Sequence, residues 1–269
     1  MPICDLHTHT VYSFDGKALP KKLCASAEEK GLLGLAITEH YDFFIDNEYI
    51  YYDCFTKERN NSLKQLASLY SGRLKIWKGI ELGQPHYDIK RYQKVISGGK
   101  FDIIIGSIHN TRDGVSIFDR YYNNQKECDE LFEAYFAEMR EMCEKCDFDV
   151  LGHLDYPIRV MGGCFERDIS LIDYREMIVP ILELCAEKGI AIEINTAGMR
   201  KWLGIPGPAL WILKEYKSLG GKMITIGSDA HIDRHCAWGF EQATELAQEA
   251  GFSDMVYFEG RKPHFLRLG

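Results

Sequence analysis

The chain has 269 residues, 46% of them hydrophobic and 27% charged, which is enough apolar material for a sizeable core without disulfide staples. A net charge of −8 argues against a broad nucleic-acid surface, which needs clustered Lys and Arg. The opening MPICDLHTHT lacks a basic start followed by an apolar stretch, no run reaches the roughly 18 apolar residues of a membrane helix, and nine cysteines are scattered without a framework. Together these lead to the expectation of free thiols in a cytoplasmic protein with no membrane partner.

In chain order, short apolar runs rich in Ile, Leu and Val occur at Ile3–Leu6, Leu33–Ile37, Leu74–Leu82, Phe101–Ile108, Phe148–Leu151, Ile190–Ile194, Met223–Ile226 and Met255–Phe258. Most lack polar alternation, as buried parallel strands do. Between them lie stretches of helical spacing at Leu19–Lys30, Thr56–Tyr70, Lys126–Lys145, Leu171–Lys188, Pro208–Leu219 and Phe240–Ala250, with glycines at 31, 72, 189, 220 and 251 where helices should stop. Seven or eight strand–helix units predict an α/β barrel of the TIM type, occupying 1–269 as one domain. A doubly wound open sheet is the alternative, weakened by the absence of Gly-x-Gly-x-x-Gly after the first strand. Cys143 and Cys146, near a helix end and without a second pair, read as core residues.

The chemistry concentrates at the ends of the predicted strands. The first ends in His7-Thr-His9, the second in Glu39-His40; the third carries Glu81 and the fourth ends in His109. The fifth ends in His153 and Asp155, the sixth in Glu193 and Asn195, the seventh in Asp229 and His231. In a parallel barrel these ends converge on one rim. A lone His-x-His or strand-end acid is weak evidence, since the acid is often a helix cap. Six histidines on one rim, among acids, are hard to explain except as ligands for divalent metals. Residues i and i+2 of a strand face the same side, so His7 and His9 can grip one ion, and Asp229 and His231 repeat the spacing. Eight or nine such ligands exceed what one zinc takes, implying two or three ions. Arg159 and Arg200, just beyond the fifth and sixth strands, suit a phosphate by their forked geometry, or are surface ion pairs. The segment 41–55 is rich in Tyr and Phe and either covers the site or is a loop pinned to the barrel. Glu39 and Asp155 are placed to orient ligand histidines.

His7-Thr-His9 with Tyr12-Ser13-x-Asp15-Gly16, Thr38-Glu39-His40, Gly79-Ile-Glu81, Ser107-Ile-His109, Gly152-His153 and Gly227-Ser-Asp229-Ala-His231 resembles the PHP (polymerase and histidinol phosphatase) family, from residue 4 to about 235. By length and by Arg261-Lys262-Pro263 it is most similar to the stand-alone histidinol-phosphatase branch. The resemblance implies a distorted seven-stranded barrel and a trinuclear centre of zinc, iron or manganese. One ion would take His7, His9, Glu81 and Asp229, with Glu81 bridging to a second on His109 and His153. A third would take Asp15, His40 and His231. Asp15 stands where the family often has histidine, and an oxygen ligand there either weakens the third site or favours iron or manganese over zinc. Three divalent ions against Asp15, Glu81 and Asp229 leave a charge of about +3, which suits a phosphate dianion. The implied reaction is hydrolysis of L-histidinol phosphate in histidine biosynthesis, with a metal-bridging hydroxide as nucleophile and His7, His9, Glu81 and Asp229 as its catalytic core. The alternatives are a phosphoesterase of nucleotides, cyclic phosphates or phosphotyrosine, and a non-catalytic metal-bound accessory module. A metal-dependent amidohydrolase would bridge its ions with a modified lysine, and no lysine takes that place.

Overall fold

A computed structural model describes residues 3–43, 57–117, 124–159, 170–200 and 204–269. Strands β1 (Cys4–Asp5), β2 (Gly34–Asp42), β3 (Lys75–Gly83), β4 (Ile103–Ser107), β5 (Val150–Leu151), β6 (Ala191–Asn195) and β7 (Ile224–Gly227) form one sheet in sequence order. All their pairings are parallel. The sheet curls on itself: Leu6 N–H donates to Ile226 O (3.1 Å), Asp229 N–H to His7 O (2.7 Å) and His9 N–H to Ala230 O (2.8 Å). This is the α/β, TIM-like barrel of seven strands. Nearly every strand residue is buried on either face, as expected where helices cover the outside and side chains fill the inside.

Helices α1 (Pro20–Glu29), α2 (Lys57–Leu69), α3 (Ile89–Gly99), α4 (Gln125–Lys145), α5 (Arg175–Lys188), α6 (Leu210–Ser218) and α7 (Phe240–Glu249) lie between the strands. The longest, α4, begins where the Asn124 side chain accepts from Glu127 N–H (3.1 Å). Its buried residues Cys128, Leu131, Phe132, Tyr135, Phe136, Met139, Met142 and Cys143 recur at helical spacing. Phe132 stacks on Tyr174 just before α5, with ring centroids 4.5 Å apart. Cys143 and Cys146 are buried free thiols within the core.

Two elements depart from the sequence reading. Helix α3 is absent from it because its buried stripe is only Tyr92, Val95 and Gly99, set among Lys and Arg. The run at Met255–Phe258 is not a barrel strand but part of β8 (Asp254–Glu259), paired antiparallel with β9 (Lys262–Arg267). The two-residue turn Gly260-Arg261 has positive φ at both positions (55° and 64°), and a parallel crossover needs a dozen residues or more. Arg261 docks the turn beneath the barrel through Asp149 (3.1 Å) and Asp147 (3.0 Å).

Arg59 of α2 is fully buried and donates to Gly79 O (2.7 Å) and Ile37 O (3.3 Å), joining the helix to β2 and β3. Replacing it with Met should destabilise the protein by about 2–3 kcal/mol, since two carbonyls lose a charged donor. The expected fall in melting temperature is roughly 5–10 °C. An unchanged melt would show that those carbonyls are satisfied without Arg59.

Candidate metal centre

The rim formed by the strand ends gathers imidazoles around one buried carboxylate. His7 Nε2 and His9 Nε2 lie 3.2 and 3.4 Å from Glu81 Oε2, and 3.9 and 3.6 Å from Asp229 Oδ1. The other oxygen of Glu81 faces His153 Nε2 (2.8 Å) and His109 Nε2 (3.2 Å), which are 3.4 Å from each other. Asp15 lies 3.0 Å from His231 Nε2 and 3.6 Å from His40 Nε2, while His40 Nδ1 turns to Glu81 Oε2 at 2.9 Å. Asp15 is the most exposed of these groups. Two atoms bound tetrahedrally to one zinc sit about 3.3 Å apart, so these spacings are those of ligands around common points. His7 Nε2, His9 Nε2, His40 Nδ1 and Glu81 Oε2 are buried and, although close to one another, are not aligned to form hydrogen bonds. Such buried acceptors without donors are costly unless a cation joins them.

The far side of most of these rings is tied down. His7 Nδ1–H donates to Glu193 Oε1 (2.6 Å), whose other oxygen accepts the His153 amide (2.7 Å). His9 Nδ1–H donates to Ser13 Oγ (3.1 Å), and Ser13 donates to Glu39 Oε2 (2.5 Å). His109 Nδ1–H meets both oxygens of Asp42 (3.2 and 3.3 Å), and His231 Nδ1–H meets Asp229 O (3.1 Å). Each assignment leaves Nε2 as a lone pair aimed inward, the tautomer a metal requires. Glu39 therefore orients His9 through Ser13. Asp155 makes no hydrogen bond to a histidine among the described residues; it is buried against Gly207 in the field of Arg159.

Glu193 and Asp42 are the partners that sequence reasoning did not assign. Glu193 was legible as a strand-end acid, but its span from His7 to His153 was not. Asp42 follows His40 by two residues, which puts it on the same face of β2, yet it reaches His109 across β3. Gly83 makes that possible, because a Cβ there would lie 2.1 Å from Asp42 Oδ1 and 2.9 Å from His109 Nδ1. Gly16 has a similar role in the loop that carries Asp15: its Cβ would strike Thr10 O at 1.9 Å.

Asp229 has φ of 52°, a left-handed backbone that an Asp adopts at some cost. It is held there from several directions. Arg200 donates to Ser228 O (2.5 Å) and Asp229 O (2.9 Å), and Arg159 Nη1 donates to Asp229 Oδ2 (2.9 Å). Arg159 Nη2 is buried without a partner. Both arginines thus line the wall that carries Asp229. Of the aromatic segment 41–55, residues 44–55 lie outside the described residues; Phe43 is buried and Tyr41 accepts from Arg91 Nε (2.9 Å).

Burial opposes every charge here, and the neighbours decide which survive. Burial would lower His7, but Glu193, Glu81 and Asp229 overcome it and hold its pKa well above the ordinary value. For His40, burial is overcome chiefly by Glu81, which lifts it to about 9. For His109, Asp42 and Glu81 overcome burial and hold its pKa well above the ordinary value. His9 is pushed well down by burial and by His40 and His231, and His153 is lowered by burial. Burial would raise Glu81 and Asp229, but the surrounding imidazoles hold both well below the usual carboxylate range.

The PHP domain family profile matches residues 5–197. A Thermotoga maritima protein named "Probable histidinol-phosphatase" is 30% identical over 96% of each chain, and the Lactococcus lactis "Histidinol-phosphatase" is 28% identical over 96% of this chain and 95% of its own. A solved structure of the Lactococcus lactis histidinol phosphate phosphatase, complexed with zinc, L-histidinol and phosphate, superposes with a TM-score of 0.83. It is 26% identical and covers 97% of this chain and 98% of its own. A Listeria monocytogenes structure at 20% identity and TM-score 0.71, covering 88% and 98%, shares the fold.

The protonation pattern makes the metal-free protein pH-sensitive in a defined sense. His40 titrates near 9 when folded and near about 6.5 when unfolded, so its contribution is complete below the unfolded value and lost as pH rises through 9. His7 and His109 are shifted the same way. Glu81 and Asp229 contribute above their unfolded values and lose that contribution on acidification, while the lowered His9 and His153 cost stability below about 6.5. Melting under chelator should therefore peak near neutrality and fall by several degrees, roughly, towards pH 9. Glu81→Gln should flatten the alkaline limb, and a limb of unchanged slope would contradict this account.

Proposed function

We propose that this chain, which belongs to the PHP domain family, is a metal-dependent phosphomonoesterase that hydrolyses L-histidinol phosphate to L-histidinol and phosphate. The observation that carries the reading is the set of buried, unpartnered atoms His7 Nε2, His9 Nε2 and Glu81 Oε2 facing one another on the rim. The Lactococcus lactis relative, complexed with zinc, histidinol and phosphate, supports the substrate.

The donor set fits two or three divalent ions. His7, His9, Glu81 and Asp229 would hold one, Glu81 with His109 and His153 a second, and Asp15 with His40 and His231 a third. Zinc suits the nitrogen-rich pair; the oxygen of Asp15 makes iron or manganese an alternative at the third. Ions held there supply an acidified water and neutralise charge on the phosphoryl oxygens.

The chain's own residues do the rest. Glu193, Asp42 and Ser13 fix the rings of His7, His109 and His9, so the nitrogen lone pairs are aimed before any ligand arrives. Arg159 offers Nη2 to the phosphoryl group while Nη1 stays on Asp229, and Arg200 braces the same wall through its carbonyls and flanks the substrate. A small phosphorylated substrate and work in the cytoplasm are part of this reading. No described helix is long and apolar enough to cross a membrane.

His9→Ala should lose bound metal and at least about 100-fold in turnover together; an active, metal-replete variant would refute the ligand assignment. Glu193→Gln should weaken zinc binding by about 10- to 100-fold, read by chelator competition, with the fold intact. Rates on histidinol phosphate should exceed those on nucleotides, cyclic phosphates and phosphotyrosine. A preference for any of these would replace the proposed substrate.

A further inference from the structure

Tyr156 belongs to none of the ligand sets and carries no motif signal. It begins a helical turn, 156–159, directly after His153 and Asp155, and its amide donates to His153 O (2.9 Å). The ring lies against His153 (centroids 4.9 Å apart, planes at 36°) and meets His109 edge-on at 5.6 Å. The Arg159 guanidinium covers it at 5.6 Å. Three contacts thus hold the ring, two of them with candidate ligands.

Four of the other tyrosines use their hydroxyls within the protein. Those of Tyr92, Tyr135, Tyr174 and Tyr216 each bond to a neighbouring oxygen. The hydroxyl of Tyr156 has no hydrogen-bond partner among the described residues, and the residue is half-buried. Its ring is held among His109 after β4, and His153 and Arg159 after β5, which places the side chain on the rim beside the candidate ligands. Arg159 Nη2, the other unused donor on this side, belongs to the guanidinium stacked on the same ring.

We propose that the Tyr156 hydroxyl and Arg159 Nη2 form a two-point donor clamp on the non-bridging oxygens of the substrate phosphoryl group. This rests on the phosphomonoesterase reading and adds to it a substrate-contacting residue. The hydroxyl donates a hydrogen bond and keeps its proton; no bond to Tyr156 forms or breaks. Phenylalanine would retain the contacts with His153, His109 and Arg159 and lose only the donor.

The test compares zinc-loaded wild type with Tyr156→Phe, using inorganic phosphate as probe in calorimetry. A lost hydrogen bond to an anion should raise the phosphate Kd by about 10- to 100-fold, with equal zinc content and an unchanged melt. KM for histidinol phosphate and for phenyl phosphate should rise by a common factor, because the contact is with the group they share. An unchanged phosphate Kd overturns the clamp. Zinc loss in the variant overturns it too, by assigning the hydroxyl to the metal centre, and a defect confined to histidinol phosphate would assign it to the organic half. If loaded wild type hydrolysed no phosphomonoester, the function above would fail, and the phosphate titration would still decide the role of Tyr156.

Discussion

The structure is organised around a carboxylate that has been removed from water. Glu81 is fully buried on β3, with ring nitrogens of His7, His9, His40, His109 and His153 within 3.4 Å of its oxygens. An isolated charge in such a place costs several kcal/mol, so it persists only if countercharges are built around it. Those come from strand ends on both sides of β3, which a barrel can supply and a flat sheet edge cannot. Closure of β1 onto β7 brings Asp229 to the same rim, 3.9 Å from His7 Nε2 and 3.6 Å from His9 Nε2.

Around this carboxylate the fold spends rigidity on orientation. Glu193, Asp42 and Ser13 sit on the far side of three rings and choose their tautomers. Gly83 and Gly16 are small because a neighbour needs the space, and Asp229 is held in a left-handed conformation by bonds from Arg200, His231 and Arg159. Strain of this kind survives where the surroundings over-determine it. An acidic chain can in this way gather six imidazoles on one rim, so the net −8 does not describe the local charge there.

Much of this was written in the sequence. Parallel β-strands buried on both faces must be continuous apolar runs, and seven of the eight such runs became barrel strands in order. Strand direction then predicts that His7, His40, Glu81, His109, His153 and Asp229, dispersed over some 220 positions, share a rim, because parallel strands end on the same side. What stayed hidden was short or weakly patterned: α3 with its narrow apolar stripe, and the β8–β9 hairpin, whose apolar run alone cannot say whether its partner is parallel or antiparallel.

Residue type and spacing by themselves determined the barrel and which side chains could act as ligands, because both depend on periodicity along a strand. Only the tertiary structure decided which nitrogen of each ring faces inward, that Asp42 reaches across β3 to His109, and that Arg200 clasps a strained backbone while Arg159 keeps one donor in reserve. Those facts depend on distances of a few tenths of an ångström between residues far apart in the chain. Local sequence has no means of encoding them until the sheet has closed.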